Sequence, residues 1–253
     1  MKKSRHLSFC ILLLASIAQP AALRAEGPEE DVLRPLLVRF FVGPVAGIGY
    51  NLHLGDFQTQ CKCTYSGGSG VGPNGGLFAE IPIARSWRVY GGMTYSDLRA
   101  DFTRQETRLE YGSSGEFVNI QFEQTANVTL SYIGIQAMAK WMTGLGTLFV
   151  AAGPELSFLV GNHIKETERI LTPGWVYKQN MQNQNIFLDG DVPSYRSNRL
   201  ALHAAVGYDF FLSPQFVLSP ELGFQMPLTT VTSSDNDWSA ASLHLSLFVK
   251  FGL

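Results

Sequence analysis

Two things are scarce in this sequence: charge, and apolar runs long enough to cross a membrane as a helix. Only 16% of the 253 residues are charged, while 45% are hydrophobic. After residue 25, no stretch approaches the roughly 20 apolar residues that a spanning helix needs. This composition suits a β-rich protein with an apolar outer wall, and it suits a periplasmic β-sandwich equally well. The order of residues along the chain has to separate the two.

The first 25 residues have the pattern of a secretory signal peptide. A basic leader at 1–6 precedes an apolar run at 7–18, and small residues follow as far as Ala25. We expect cleavage after Ala25, with Ala22 as second choice, and a short periplasmic lead-in over residues 26–36. Cleavage removes four basic residues and no acidic one, so the formal charge moves from −2 to −6. An acidic mature chain has no electrostatic reason to bind nucleic acid.

An alternation of period two recurs along the mature chain and predicts β-strands with one apolar face. It is clearest at the C-terminus, where every second residue from Leu243 to Leu253 is apolar. The pattern predicts eight strands, at residues 38–52, 77–84, 87–102, 127–141, 148–158, 199–210, 216–226 and 242–253. In the fourth strand the apolar positions change parity near Ser131 and Tyr132, which we interpret as a β-bulge.

The connections between these strands alternate between short and long. Three are tight turns, at 84–86, 143–146 and 213–215, and the others are long and polar, at roughly 57–74, 103–116, 162–197 and 229–239. Short turns on one rim and long loops on the other are typical of transmembrane β-barrels of the outer membrane. Aromatic residues flank the tight turns, as an interfacial girdle requires: Trp87, Trp141, Phe210, Phe211 and Phe216.

With these patterns the chain resembles the small outer-membrane β-barrel family (OmpA/OmpX-like, of the PorT type). The residues that carry the resemblance are at 76–83, 153–158, 207–211 and 219–224, together with the terminal strand. It implies an all-β, eight-stranded antiparallel transmembrane barrel over residues 37–253, in the outer membrane of a Gram-negative bacterium. It also implies that barrel-insertion machinery reads the last strand, although the aromatic Phe251 lies two places before the end.

Charged residues of both signs fall on the predicted inner face. One interpretation is an ion pathway or a catalytic pocket, and the other is a hydrogen-bonded plug that fills a narrow lumen. We favour the plug, because eight strands leave an interior only wide enough for side chains. The residues are Arg39, Glu80, Lys140, Glu155, Arg199, His203, Asp209, Glu221, His244 and Lys250.

No enzyme, cofactor or metal site is predicted. His203 and His244 have Ser242 and Ser246 nearby in sequence, but no Gly-x-Ser-x-Gly turn accompanies them. Cys61-Lys62-Cys63 lies in the first long loop, where the envelope favours a local disulfide over free or intermolecular thiols. A metal ranks last for these cysteines, because nothing completes a set of four ligands.

Function on such a scaffold is expected in the outer loops. The third long loop has a polar amide run at 178–185, and its neighbours Trp175, Tyr177 and Tyr195 offer contact area. We therefore expect a monomeric outer-membrane barrel, embedded in lipid, with a filled lumen and a structural or surface-interaction role toward a ligand or a host cell. The alternatives are a narrow porin-like channel and a soluble periplasmic β-barrel that binds an apolar ligand.

Overall fold

The computed structural model describes residues 40–59, 63–112, 115–233 and 237–253. These residues contain no helix, and hence none able to span a membrane. The predicted signal peptide, the lead-in, Arg39 and Cys61 lie outside the described residues. The strands are β1 (Phe41–Gln58), β2 (Thr64–Pro82), β3 (Trp87–Asp97), β4 (Ala100–Tyr111), β5 (Phe117–Met142), β6 (Leu148–Ile170), β7 (Gln184–Gly190), β8 (Asn198–Tyr208), β9 (Phe210–Ser213), β10 (Phe216–Pro227) and β11 (Ser239–Gly252).

Eight of these strands form a closed ring of antiparallel pairs. The order is β1–β2–β3–β5–β6–β8–β10–β11, and β11 pairs back onto β1 from Phe41↔Gly252 to Leu54↔Ser239. Closure leaves no open edge in the ring, as lipid requires. The predicted eight-stranded all-β barrel is thus confirmed. The short β9 continues β8 along β10.

The remaining strands, β4 and β7, extend one end of the ring. β4 pairs with β5 over its full length and touches β2 at only one described pair, Ser69↔Asp101. β7 pairs with the end of β6. The third long connection therefore forms a hairpin with the end of β6, and this hairpin adds no strand to the ring.

The tight turns occur where the sequence predicts them, but most of each long connection is strand rather than loop. β1 and β2 continue past the predicted boundaries and leave only 59–63 between them, and β4 and β5 leave only 112–116. The reason is that long antiparallel ladders satisfy the backbone without water, so polar residues in these segments extend the sheet instead of looping. Polar composition alone misled the prediction of loops here.

A band of exposed apolar side chains surrounds the end of the ring that carries the tight turns. Its lower limit is marked by exposed aromatics at the turns, including Trp87 and Trp141. Its upper limit is marked by Tyr50, Tyr95 and Phe158. Trp87 and Tyr95 are eight residues apart, so the band is ~27 Å along the strand, which after strand tilt is close to the ~25 Å apolar belt of outer-membrane barrels.

Beyond Tyr50 and Tyr95 the strands rise into what we call the extension, which consists of the described residues in 53–70, 98–131, 161–196 and 229–240. Here the two faces exchange character. Along β5 the even-numbered residues face inward throughout, but they are apolar just above the band, as at Val128 and Leu130, whereas the band has inward polar residues such as Gln136 and Lys140. The outward face changes in the opposite sense, from Asn127 to Ile135.

This exchange corrects the predicted bulge in β5. The parity of apolar residues changes near Ser131 because the solvent outside the barrel changes, while β5 itself keeps its faces. A register shift does occur at this level, between Ser131 and Tyr132, but the additional residue lies in β6, between Leu159 and Gly161. The predicted height was right and the predicted strand was wrong.

The inside of the extension is a compact aromatic core. Phe57 stacks on Trp238 at a centroid distance of 4.3 Å, and Phe102 meets both rings edge-on. His53 supports the core: its ring lies 3.1 Å from the Leu98 carbonyl through Nε2, and its Nδ1 accepts a 3.0 Å hydrogen bond from Trp238 Nε1. Burial lowers the pKa of His53 to about 4, so the ring is neutral at pH 7.

Candidate functional site

Five charged side chains form a cluster that closes the lumen near the tight turns. Lys140 Nζ lies 2.7 Å from Asp209 Oδ2, and Lys250 Nζ lies 2.6 Å from Glu80 Oε2. The pairs are crosslinked, because Lys140 also approaches Glu80 at 3.3 Å and Lys250 approaches Asp209 at 3.0 Å. Arg88 adds a 2.8 Å contact to Glu80 from the rim. Every carboxylate in the cluster therefore has more than one cationic partner.

Apolar and aromatic groups seal this cluster from the side. Lys140 Nζ lies 3.8 Å from the centroid of the Phe149 ring, a cation–π distance. Above it, Tyr90 donates a 3.1 Å hydrogen bond to Glu221 Oε2. Phe248 packs edge-on against the rings of Phe78 and Tyr90.

The middle of the lumen holds a polar layer around a cavity of about 30 Å³, room for only one or two water molecules. Asn74 Nδ2 donates to His244 Nδ1 at 2.9 Å, and Ser246 donates to Asn74 Oδ1 at 3.2 Å. Asn74 therefore separates the histidine from the serine, and the described contacts do not include the direct Ser–His hydrogen bond that a nucleophile needs. No group of three His, Cys, Asp or Glu in the described part of the chain could hold a metal.

The predicted inward charges that the structure describes are all buried, but they are not all paired as expected. Glu80 and Asp209 have the lysine partners that a plug requires. Glu155 instead accepts a 2.6 Å hydrogen bond from Ser157, and Glu221 is bonded to Tyr90, and neither is within ion-pair distance of a base in the described residues. The alternation in the sequence assigned these acids to the correct face. It could not show at which level along the barrel axis each lysine or arginine lies, and hence which acid it pairs with.

The upper end of the lumen is closed a second time, by the aromatic core of the extension. Just beneath it, Asn51 donates to the carbonyls of Asp97 and Arg99 and accepts from Ser242 at 2.8 Å. Arg199 donates to the Ala240 carbonyl at 2.8 Å. The lumen is thus closed at two levels, by the charged cluster near the tight turns and by the aromatic core above.

Above the core the four strands β4, β5, β6 and β7 enclose an open cleft of about 540 Å³. It was not predicted, because its residues lie in segments that read as polar loops, and only the alternation at 104–108 signals one face. Its lining consists of Cys63, Arg104, Glu106, Arg108, Gln124, Glu166, Thr167, Glu168 and Phe187.

The base of this cleft is built from acceptors held by buried hydrogen bonds. Glu168 accepts from Gln124 Nε2 at 2.7 Å, from the Tyr177 hydroxyl at 2.6 Å and from Arg108 at 2.7 Å. Glu166 Oε1 accepts from Thr59 at 2.8 Å and from the Tyr65 hydroxyl at 2.9 Å.

Both tyrosines at the base stay protonated. Burial and the Glu166 carboxylate raise the pKa of Tyr65, and burial and the hydrogen bond to Glu168 raise the pKa of Tyr177. The hydroxyls therefore keep donating, and both carboxylates keep their positions.

Two arginines form the rim of the cleft. Arg104 lies 2.9 Å from Glu106, and Arg108 contacts both Glu106 and Glu168. Their side chains are 38% and 36% exposed, whereas the Glu168 side chain is 2% exposed. The cleft thus has acceptors at depth and guanidinium groups at its opening.

Of the loop residues predicted to offer contact area, Tyr177 belongs to the cleft and Trp175 packs above it on Ile120, Phe122 and Ile170. Tyr195 lies elsewhere, in a bridge to Thr232. Cys63 is disulfide-bonded, as expected, and the predicted partner Cys61 lies outside the described residues.

Comparison with known proteins assigns the chain to a family. The sequence model of a family described as outer membrane protein beta-barrel domain matches residues 35–233. No curated protein sequence matches the chain.

Three solved structures are similar to the chain. Neisserial surface protein A is 14% identical, with 85% of this chain and 97% of that chain covered and a TM-score of 0.39. Ail, the attachment invasion locus protein of Yersinia pestis, is 13% identical, with 83% and 98% covered and a TM-score of 0.33. OprG from Pseudomonas aeruginosa is 10% identical, with 85% and 95% covered and a TM-score of 0.36. These three carry no inference about function.

Proposed function

Since the chain belongs to the outer membrane protein β-barrel domain family, we propose that it is a non-conducting surface protein whose extension binds a ligand outside the cell. The barrel resides in the outer membrane of a Gram-negative bacterium, with its apolar band in the lipid. The observation that carries the proposal is the contrast between a lumen closed at two levels and an open cleft of about 540 Å³ above the membrane.

The closed lumen supports a plug rather than the porin-like channel. An ion that entered from the periplasm would have to separate Lys140, Lys250, Glu80 and Asp209, whose mutual contacts replace hydration. Breaking a buried charge pair without a replacement costs about 3–5 kcal/mol. An eight-stranded ring also gives no spare width around the cluster.

The proposal includes no catalysis. His244 and Ser246, the pair that the sequence suggested, lie in the lumen with Asn74 bonded between them. The residues that line the cleft include Thr167 but no histidine that could act as its base.

The remaining parts of the proposal concern export and assembly. We propose removal of residues 1–25 as a signal peptide, insertion of a monomer, and recognition of β11 by the insertion machinery. β11 supports this role because it closes the ring against β1 and carries the outward-facing apolar residues Leu245, Leu247 and Phe251.

Conductance and surface binding test the proposal together. The purified protein is expected to give no steady current in planar bilayers. Cells that display it are expected to bind at least one member of a panel of peptide- and glycan-coated surfaces. A matched variant replaces residues 102–126 with a two-residue turn, since Asp101 and Asn127 face each other across the ladder.

This shortened protein should insert, keep its heat-modifiable gel mobility and lose the surface binding. Steady single-channel current from the wild-type protein, or unchanged binding by the shortened one, would contradict the proposal.

A further inference from the structure

We infer that the cleft between β4, β5, β6 and β7 binds a small zwitterion, an amino acid or short peptide, with its ammonium group inward and its carboxylate at the rim. The inference rests on the proposed surface-binding function and names the site and the chemistry of the ligand. It follows from three properties of the cleft: an unused buried acceptor, the position of its charges, and its size.

The unused acceptor is the amide oxygen of Gln124. The residue is 2% exposed and lines the cleft. Its Nε2 donates to Glu168, which fixes the amide so that Oε1 has no hydrogen-bond partner in the described part of the chain. Buried polar atoms are nearly always satisfied by protein, water or ligand. A ligand that supplies an N–H donor at this depth satisfies it.

The surroundings of Gln124 favour a positive donor over a neutral one. Glu168 lies opposite Gln124 on β6, with Glu166 two residues further along β6, and the five charged residues of the lining give the cleft one more negative than positive charge. An ammonium group placed beside Gln124 Oε1 therefore forms a charge-assisted hydrogen bond in a field of buried carboxylates.

The rim favours the opposite sign. Arg104 and Arg108 keep more than a third of their side-chain surface exposed, and each guanidinium has five N–H donors. Arg104 uses its donors on Glu106 and, at a long 3.4 Å, on the Thr64 carbonyl. Donors remain for a ligand carboxylate, the partner that guanidinium groups bind in fork geometry.

The volume of the cleft and one apolar wall also favour a small ligand with a short apolar part. A volume of about 540 Å³ lies in the range of small-molecule sites. Phe187 on β7 supplies an apolar wall for a short side chain or a peptide backbone. A ligand with a positive end, a negative end and a short apolar middle matches this layout.

Three forms of one peptide test the inference on the full-length protein in lipid nanodiscs by calorimetric titration. The zwitterion Ala-Ala-Ala is expected to bind saturably. N-acetyl-Ala-Ala-Ala, which lacks the ammonium, and Ala-Ala-Ala-amide, which lacks the carboxylate, should each bind about tenfold more weakly, the loss of one charge-assisted contact. Free alanine and lysine, titrated in parallel, distinguish a free amino acid from a peptide as the source of the zwitterion.

Two variants place the binding in the cleft. Gln124→Leu should weaken Ala-Ala-Ala about tenfold and leave the preference for the free carboxylate intact. Glu123→Gln is the matched control, because Glu123 lies on the opposite face of the same strand and pairs with Arg169 outside the cleft. This control should bind as the wild type does, and heat-modifiable mobility reports whether each variant has folded.

Equal binding of the acetylated and free peptides would overturn the inward ammonium, and absence of saturable binding by all three would overturn the site. Either result leaves the surface function standing if the shortened protein still loses surface binding. Current through the wild-type protein would overturn the surface function instead, so the two failures are distinguishable.

Discussion

The part of the barrel in the membrane and the part above it are built from the same strands, but apolar residues are distributed differently between their inner and outer faces. In the membrane the outer face is apolar and the inner face carries buried charged groups beside aromatic rings, as Ile135 and Lys140 on β5 illustrate. In the extension the inner face next to the band is an aromatic core around Trp238, with the charged cleft above it, and outward positions next to the band are polar, as at Asn127. The comparison shows that the polarity of the side chains follows the medium outside each part of the strand, lipid or water. The positions that face inward along the strand need not change.

The largest expected effect comes from removing a charge from the membrane part. Lys140→Met leaves Asp209 and Glu80 with one partner fewer in a sealed layer, and we expect a loss of about 3–5 kcal/mol in the free energy of unfolding. Urea unfolding in lipid vesicles measures it.

The control is Lys165→Met in the extension, where the residue is exposed on the outer face and the expected change is within about 0.5 kcal/mol. Equal costs at the two lysines would remove the distinction between the inner and outer faces.

A charge introduced on the outer face should be costly in the membrane part and nearly neutral in the extension. Ile135, which is 62% exposed, contacts hydrocarbon, so Ile135→Arg should cost about 2–4 kcal/mol and impair insertion. Thr129→Arg, six residues away on the same face of β5, should be nearly neutral because that face meets water. Similar penalties at both positions would mean that lipid reaches the level of Thr129.

Acid should weaken the extension through His53. The unfolded imidazole titrates near its ordinary value of 6.5, while the folded one has a pKa of about 4 because of burial. Above pH 6.5 both states are neutral and stability is complete; between pH 6.5 and 4 the unfolded state takes up the proton and stability falls. At ~1.4 kcal/mol per pKa unit, the loss is on the order of 3–4 kcal/mol.

Tryptophan fluorescence during denaturation at a series of pH values follows this loss. His53→Leu should start from a lower stability and show a flatter decline over that pH window. A His163→Asn variant, altered on the exposed outer face, should keep the wild-type slope. If His53→Leu keeps that slope too, protonation of His53 is not the cause.

The smallest effect is expected from the ion pair on the outer face of the extension. Arg169 lies 2.7 Å from Glu123, but the side chain of Arg169 is about half exposed and water screens the pair. A double-mutant cycle with Arg169→Gln and Glu123→Gln should give a coupling of about 0–1 kcal/mol that declines with salt. A coupling as large as that of the Lys140 cluster would show that the outer face is not truly solvated.

The same contrast explains what could be predicted from the sequence. The strands of the membrane part were found because alternation against lipid is regular, as in β11, where Leu245 and Leu247 face outward and His244 faces inward. The buried charges were assigned to the correct face by parity alone. Their pairing was not predictable, since Lys140 and Lys250 reach Asp209 and Glu80 from different strands at a height set by barrel shear.

The extension was missed because neither face of its strands stays apolar along their length. On β4 the inner face changes from Phe102 to Arg104, Glu106 and Arg108, so β4 resembled a loop to any criterion that expects apolar residues on one side throughout. The soluble barrel with an apolar interior is wrong as a description of the whole protein, yet the apolar interior it required is present in the extension around Trp238. A search that allowed the apolar face to switch at the membrane surface would have found both.

The continuity of β5 through both solvents has a mechanical consequence. Its 26 residues run from Phe117 to Met142 with no break in the backbone, and its ladder to β6 extends from Phe122↔Ile170 down to Met142↔Phe149. A pulling force on a ligand bound beside Gln124 therefore acts along the axis of β5. The many hydrogen bonds of the β5–β6 ladder share this load and resist the sliding of β5 past β6. A site on a flexible loop would yield one hydrogen bond at a time, whereas this one is connected directly to the strands that span the outer membrane.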